Sequence, residues 1–264
     1  MRYALIIFLV ILSVAVSGCV QNNINQTNQT VDRFTVMNEI NVRGVSIKWL
    51  GHASFQITNG KKFVYIDPYV LPANPEKADY ILITHEHFDH CDVKNIEKIN
   101  RKGAEIIGHI GCISKINGTN TNSIEPDESF SYDDGVRAAA VEAYNVDKFR
   151  SPGQVFHPQG LGIGFVLTID GVKIYHAGDT DNIPEMTNLQ NQGIDVALLP
   201  IGGTYTMTVS EAAEAAQVIK PKILIPMHYN SDKYGVSGIN ANPVELAKAL
   251  VGKGIVVNIL EHFV

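Results

Sequence analysis

The chain has 264 residues, of which 18% are charged and 45% hydrophobic, and its formal net charge is −6. This length suits one large domain behind a short removable leader. The mild acidity and the lack of a Lys/Arg run argue against electrostatic binding of nucleic acid. We therefore expect one folded body whose partner is a small molecule.

The first 19 residues have the pattern of an export signal. Arg2 precedes an almost wholly apolar stretch over residues 4–16, shorter than the ~20 residues that a transmembrane helix needs. The following Val16-Ser17-Gly18-Cys19 is similar to the lipobox at which prokaryotic lipoproteins are cleaved and lipidated. We predict a lipoprotein-type signal peptide over residues 1–19, with Cys19 as membrane anchor and an extracytoplasmic location. An uncleaved signal anchor and a plain secreted form are the alternatives.

Residues 20–34 are rich in Asn, Gln and Thr. Such a composition cannot bury a core, so a flexible tether is expected there, followed by the folded domain over residues 35–264. Within that domain Cys91 and Cys112 remain. A disulfide, an extra soft metal ligand at Cys91, and two buried thiols are all open, and we favour the buried thiols.

Apolar runs and alternation predict strands in both halves of the domain. The strands are expected at residues 45–50, 53–58, 62–66, 80–83, 104–110, 136–143, 163–169, 172–176, 196–201 and 223–226. The first three form an antiparallel meander with Asn59-Gly60 in a hairpin turn.

Helices are fewer and mostly late in the chain. One is expected over residues 92–102, ended by Gly103. A capping box at Thr208–Glu211 opens a second helix that Pro221 ends, and Asn242-Pro243 opens a third, up to about Val251. This order suggests two sheets packed face to face with helices outside.

Thr84-His85-Glu86-His87-Phe88-Asp89-His90 is the most informative motif, because it places three imidazoles and a carboxylate within six residues after the strand 80–83. His85 and His87 alternate by two, so they share one face of an extended chain. Zinc and similar divalent metals favour this mixture of nitrogen and oxygen ligands. The motif predicts a metal site at the end of a strand.

Further ligand types follow other strands of the predicted sheets. Each of them alone is more often a turn residue or a hydrogen-bonded structural residue, but their number points to one polar site on an apolar scaffold. These residues are His52, Asp67, His176, Asp179 and His228.

Taken together, these motifs resemble the metallo-β-lactamase-fold hydrolase superfamily, whose signature is His-x-His-x-Asp-His. The pattern is most similar to its lactonase-like branch, which includes ascorbate-6-phosphate lactonase and small metal-dependent hydrolases. The matching stretches are residues 50–55, 66–68, 85–90, 175–180, 195–202 and 225–229. The resemblance implies an α+β fold, a four-layer αββα sandwich with the site along one edge.

Carried over to this sequence, the resemblance implies two divalent metal ions, zinc first, with Mn²⁺ or Fe²⁺ also suitable. The implied ligands are His85 and His87 for the first metal, Asp89, His90 and His228 for the second, and Asp179 as the bridge between them. The family adds a third histidine to the first metal, but Asn145 stands where it is expected. His157 in its place, the amide oxygen of Asn145, or a water are the alternatives.

Such a site implies a metal-bound hydroxide that attacks an ester, lactone or phosphodiester. Asp89 and His228 are the candidate catalytic residues, and Asp89 is expected to orient the nucleophile and pass its proton to the leaving group. His52, Asp67 and His176 are expected to orient the ligands from behind, and Tyr205, Thr206 and Tyr229 are candidate substrate contacts. The alternative is a surface-tethered metal-binding protein with little or no turnover.

Overall fold

Two seven-stranded sheets form the centre of the computed structural model, which describes residues 39–118 and 120–261. The predicted signal peptide, Cys19 and the predicted tether lie outside the described residues. All described residues belong to one compact unit. Within them, no helix has both the length and the apolar character needed to span a bilayer.

The first sheet contains seven strands in sequence order. They are β1 (Glu39–Val42), β2 (Val45–Gly51), β3 (Ser54–Thr58), β4 (Phe63–Ile66), β5 (Ala78–Ile83), β6 (Asn100–Gly108) and β7 (Thr121–Ser123). Strands β1 to β4 pair antiparallel, which confirms the predicted meander, and β4 to β7 pair parallel.

The second sheet is built from the other half of the chain. The strands of that half are β8 (Ser129–Ser131), β9 (Arg137–Glu142), β10 (Phe149–Ser151), β11 (Gln154–Val155), β12 (Ile163–Ile169), β13 (Val172–His176), β14 (Val196–Pro200), β15 (Ile223–Met227) and β16 (Val256–Val257). The sheet order is β16-β15-β14-β13-β12-β9-β8, parallel from β13 to β16, whereas β10 and β11 form a separate hairpin.

Short helices complete the described part of the chain. They are α1 (Val93–Ile99), α2 (Ile110–Ile113), α3 (Val209–Ile219) and α4 (Pro243–Ala249), with 3₁₀ turns over Pro184–Gln192 and Asp232–Tyr234. The predicted capping box is present at α3, where the Glu211 amide donates to Thr208 Oγ1 at 3.3 Å and the Glu211 carboxylate accepts from the Thr208 amide at 2.6 Å.

Apolar side chains of both sheets meet in the main core. Trp49 and Phe55 of the first sheet are buried in the same cluster as Phe165 and Ile174 of the second. A second cluster lies on the first sheet alone, where Ile81, Ile83, Ile96 and Ile99 pack together, so α1 covers the outer face of that sheet. Two sheets with helices on their outer faces form the expected αββα sandwich of the α+β class.

Helix α1 is shorter than its sequence predicts, because it ends at Ile99 and not at residue 102. Asn100 already adopts an extended conformation, with φ −59° and ψ 127°, and begins the parallel pairing of β6 with β5. Arg101 forms an ion pair with the buried carboxylate of Asp79. Sheet pairing and this ion pair outweigh the helical preference of residues 100–102.

Cys91 and Cys112 form a disulfide, which corrects the expectation of two separate buried thiols and of a Cys91 metal ligand. The sequence was not decisive here because pairing depends on a Cα–Cα distance, 5.9 Å in the structure, that only the fold sets. The bond joins the residue after His90 to α2 and so fixes the loop that carries the histidine motif.

Replacing both Cys91 and Cys112 by Ser is expected to lower the free energy of unfolding by about 3 kcal/mol, because a 21-residue separation is no longer closed in the unfolded chain. Chemical denaturation measures this change. In the wild type, neither Cys91 nor Cys112 should be alkylated before the protein is reduced, as measured by mass spectrometry. Alkylation of both residues in the unfolded but unreduced protein would contradict the pairing.

An ion pair between the half-exposed Arg43 and the buried carboxylate of Asp195 joins the β1–β2 turn to the second sheet. The Arg43 guanidinium donates to both oxygens of Asp195 at 3.0 and 2.7 Å, and Lys222 Nζ donates to Oδ1 at 2.8 Å. Burial alone would raise the pKa of Asp195, but these hydrogen bonds and charges outweigh it and lower the pKa to about 2. The folded state therefore favours the ionised carboxylate.

Asp195→Asn is expected to lower the free energy of unfolding at pH 7 by about 1–2 kcal/mol, because a depressed pKa stabilises the fold wherever the carboxylate is ionised. The difference from the wild type should shrink as the pH falls from the ordinary value of 3.8 towards about 2. Denaturation curves across this range test it. Asp133→Asn, at an exposed position, is the control, and an equal loss there would contradict the assignment.

Candidate metal centre

The predicted ligands meet at one edge of the sandwich. The His-rich motif follows β5, Asp67 follows β4, Asp179 lies just past β13, and His228 directly follows β15. Because parallel strands end at the same edge of a sheet, the two sheets bring these side chains to one place. Gly178 permits the turn before Asp179: its φ is +65°, and a Cβ there would lie 2.7 Å from the Ile163 carbonyl oxygen.

Three histidines form the first candidate ligand group. His85, His87 and His157 each offer a ring nitrogen, and these atoms lie within 4.8 Å of one another. His87 Nδ1 lies 3.1 Å from His85 Nε2 and 3.1 Å from His157 Nε2. The structure therefore brings His157, one of the alternatives for the missing third histidine, to the position where that ligand is needed.

Asn145 lies behind His157 and its orientation is fixed by two acceptors. Its side-chain amide nitrogen donates to Asp181 Oδ1 at 3.1 Å and to the Tyr205 carbonyl at 3.0 Å. The amide oxygen must then face His157, where it accepts from the backbone N–H at 2.8 Å and from Nδ1 at 2.9 Å. Asn145 thus holds a proton on His157 Nδ1 and leaves the Nε2 lone pair directed at the cluster.

A second group contains His52, Asp89, His90 and His228, whose donor atoms also lie within 4.8 Å of one another. Asp179 lies between this group and the first one. Its Oδ2 is 3.0 Å from His228 Nε2 and 3.3 Å from His157 Nε2, and its Oδ1 is 3.4 Å from His90 Nε2. One carboxylate thus faces ligand candidates of both groups.

Buried hydrogen bonds fix the ring orientation of further histidines. His90 Nδ1 donates to Asp67 Oδ2 at 2.7 Å. His85 Nδ1 donates to Thr84 Oγ1 at 2.9 Å, and Thr84 Oγ1 in turn donates to Asp67 Oδ2 at 2.7 Å. Both rings therefore direct Nε2 at the cluster, and Nε2 is the nitrogen that can bind a metal once it carries no proton.

The other two expected supporting residues have different surroundings. His52 Nε2 lies 3.1 Å from Asp89 Oδ2 and its Nδ1 lies 3.0 Å from Ser231 Oγ, so it contacts the second group directly. His176 donates from Nε2 to the Ala53 carbonyl at 2.9 Å. That bond joins the two sheets behind the site.

Sequence reasoning missed several supporting residues. Thr84, Asp181 and Ser231 act through a neighbouring side chain, and a common residue type at a single position gives no pattern to detect. Thr84 lies directly before the first histidine of the motif, and this position is the one signal in the sequence that points to it.

Charge in the site is balanced by the carboxylates. Burial lowers the pKa of His85 well below its ordinary value. Burial also opposes charge on His90, but the carboxylates of Asp179 and Asp67 outweigh it and raise the pKa of His90 well above the ordinary value. Burial alone would raise the pKa of Asp179, but the nearby His228 and His90 outweigh burial and hold this pKa well below the ordinary range. The centre thus favours a positive charge between these groups.

Several buried atoms of the site lack a hydrogen-bond partner among the described residues. They are His90 Nε2, Asp179 Oδ1 and both ring nitrogens of His228. Leaving buried polar atoms unpaired is costly, so convergent unpaired nitrogen and oxygen atoms indicate a ligand. Imidazole nitrogen with carboxylate oxygen is a donor set that suits zinc and similar divalent metals.

A cavity of ≈ 330 Å³ opens onto these donors. His87, Asp89, His157, Asp179 and His228 line it, and Tyr205 lines it as predicted for a substrate contact. Thr206 and Tyr229 do not line it. Both are buried, and Tyr229 stacks on Trp49 with ring centroids 5.2 Å apart.

Comparison with known proteins gives relatives of the same kind over nearly the whole described chain. Residues 46–228 match the model of the Beta-lactamase superfamily domain. The UPF0173 metal-dependent hydrolase of Thermoplasma acidophilum is 40% identical over 220 residues, 80% of this chain and 92% of the relative. That of Thermococcus onnurineus is 39% identical over 224 residues, 81% of this chain and 95% of the relative.

Solved structures agree with these relatives. A Parabacteroides distasonis protein assigned as a metal-dependent hydrolase is 36% identical, with a TM-score of 0.71 over 84% of this chain and 96% of that one. A metallo hydrolase of Ignicoccus hospitalis is 25% identical, with a TM-score of 0.66 over 82% of this chain and 95% of that one. The chain therefore belongs to the metallo-β-lactamase superfamily, within the UPF0173 metal-dependent hydrolases.

Proposed function

We propose that this protein is a hydrolase that uses two divalent metal ions, zinc first and Mn²⁺ or Fe²⁺ as alternatives, to cleave an ester, lactone or phosphodiester bond in a small molecule. The observation that carries the proposal is the position of Asp179, whose carboxylate lies within 3.4 Å of histidines from both ligand groups. A bridging carboxylate is what a pair of neighbouring metal ions requires.

In this proposal each ligand group holds one ion. His85, His87 and His157 would hold the first, Asp89, His90 and His228 the second, and Asp179 both. His52 reaches Asp89 at 3.1 Å and would fix that carboxylate. The alternative of a metal-binding protein without turnover rested on the loss of the usual third histidine, and the position of His157 beside His87 supports the hydrolase over it.

When bound, the ions supply Lewis acidity and lower the pKa of water towards ~7. Asp89 lines the cavity although its side chain is nearly buried, so its carboxylate is placed to accept a proton from the attacking water. The same carboxylate would then deliver that proton to the leaving oxygen. His228 lines the same cavity, 3.0 Å from Asp179, and would keep the reacting bond next to that carboxylate.

We further propose that the enzyme works outside the cytoplasm, anchored to the membrane through a lipidated Cys19. The leader sequence carries this proposal. The Cys91–Cys112 disulfide supports it, because disulfides persist mainly in oxidising compartments. Metabolic labelling with a radioactive fatty acid, compared with a Cys19→Ser variant, tests the anchor; label retained in the variant would exclude it.

Elemental analysis of the purified protein is expected to find about two metal ions per chain. Asp179→Ala should reduce this to one or fewer, because the variant lacks the carboxylate shared by both ligand groups. Asp133→Ala, an exposed aspartate in the β8–β9 turn, should keep the full content. One ion or none in the wild type, unchanged by Asp179→Ala, would overturn the dinuclear proposal.

Asn145→Ala is expected to weaken the binding of one metal ion by about 10–100-fold, because His157 loses the acceptor that fixes its ring. Metal titration in competition with a chelating dye measures the affinity of each of the two metal sites in the wild type and in the variant. Asn188→Ala, at an exposed position of the 3₁₀ turn, is the matched control. Equal affinities in wild type and Asn145→Ala would show that His157 does not depend on this hydrogen bond.

A further inference from the structure

Part of the lining of the cavity is apolar, and we call this part the apolar wall. It contains Phe88, Phe156, Tyr205 and Val236, with Gly235 and Ser237 on either side of Val236 in the chain, and histidines and aspartates of the site line the same cavity. The volume of ≈ 330 Å³ is in the range of small-ligand sites. A substrate held at the ligands therefore has one part of its body against this wall.

Phe88 is a large apolar side chain that lines the cavity and is exposed, which indicates a role in binding. It lies between His87 and Asp89 in the histidine motif, yet 65% of its surface is accessible. Its ring has an edge contact with Tyr69 at 5.8 Å between centroids. A large aromatic side chain held at a cavity and left in water costs free energy that a bound apolar group recovers.

The facing rings are held in position. Phe156 packs edge-on against Tyr205, with centroids 4.8 Å apart, and the Tyr205 hydroxyl donates to the Ser237 carbonyl at 3.4 Å. These contacts join the loop after β11 to the loop before Gly238. Protein contacts thus fix the positions of Phe156 and Tyr205 in the apolar wall.

Charge separates this cavity from its neighbour. No Lys or Arg is among the described residues that line the apolar wall or the rest of this cavity. A neighbouring cavity of ≈ 450 Å³ shares His87, Phe156 and His157 with it and also contains Arg150, whose guanidinium donates to the Phe156 carbonyl at 3.0 Å. A phosphate on the part of the substrate in the first cavity would meet no Lys or Arg there, and only the histidines of the site as basic groups.

From these observations we infer that the substrate is a carboxylic ester or lactone that carries an uncharged apolar group, an acyl chain or ring, next to the bond that is cleaved. This inference rests on the proposed function and narrows it. Water adds its hydroxyl to the acyl carbon, the carbon–oxygen ester bond breaks, and the remaining proton goes to the alcohol oxygen. The apolar group stays against Phe88, Phe156 and Val236 throughout.

Straight-chain hydroxamates test this inference by binding and without turnover. Their common head group chelates a divalent metal, so acetohydroxamate probes the metal centre alone. Calorimetry of the full-length, zinc-loaded chain with the series from acetohydroxamate to octanohydroxamate is expected to show affinity rising about fourfold per methylene until the cavity is full. An eight-carbon hydroxamate whose far end carries a carboxylate should bind more weakly than octanohydroxamate, because the apolar wall would have to bury that charge.

Phe88→Ala should flatten this dependence on chain length while acetohydroxamate still binds. Phe149→Ala is the matched control, because Phe149 has 51% of its surface accessible and does not line the cavity. The metal content of each variant is measured in parallel. A weaker binding of hydroxamates that is caused by lost metal can then be distinguished from one caused by the missing Phe88 side chain.

The outcomes separate the inference from the proposed function. Acetohydroxamate binding with no gain from longer chains, or an equal gain in Phe88→Ala, would overturn the apolar substrate and leave the metal centre intact. Binding of the long chains without binding of acetohydroxamate would support the apolar wall and count against the metal centre. No binding of any member would overturn both.

Discussion

Asp179 has its carboxylate buried among histidine rings from both ligand groups, and the arrangement of the site depends on this contact. His90, His157 and His228 approach it from three different loops. His90 and His228 follow strands of the two different sheets, and His157 follows the β10–β11 hairpin, so the carboxylate joins the two halves of the chain at their shared edge. A charge in this position is stable only if positive partners surround it, which is why imidazoles and divalent cations are suited to the space.

Hydrogen bonds behind the ligands decide how the rings present themselves. Thr84, Asp67 and Asn145 each accept a hydrogen bond from the far nitrogen of a histidine, at 2.9, 2.7 and 2.9 Å respectively. The other ring nitrogen, Nε2, is thereby directed at the cluster. These hydrogen bonds fix the orientation of the rings, so that their Nε2 atoms converge on one point where a metal could bind.

The backbone at this edge is held in unusual conformations. His52, Asp67 and His228 have φ values of 52°, 46° and 55°, in the left-handed region that non-glycine residues rarely occupy. Each such residue costs about 1–3 kcal/mol, which the buried packing of the two sheets has to offset. His52 and His228 are also joined, since the His228 amide donates to the His52 carbonyl at 3.0 Å. Among the described residues, these are three of the eight non-glycine positions with positive φ, and all three lie at the edge where the proposed chemistry takes place.

Much of the fold could be read from local pattern. The meander, the capping box at Thr208 and the superfamily motif around His85 depend on neighbours in sequence, and the structure has each of them. The end of α1 could not be read in this way. Residues 100–102 have helical neighbours, but pairing with β5, a partner some twenty residues away, decides their conformation.

The sequence by itself determined the class of fold, the histidine motif and the residue types that converge at one edge, because strand periodicity and the ends of strands are local properties. Tertiary structure alone decided that His157 faces the cluster, that Asn145 stands behind it and that Cys91 pairs with Cys112. Each of these depends on a distance between segments that are 12 to 70 residues apart in sequence. Loops of that length have many conformations of similar energy, and only packing against the rest of the fold selects one.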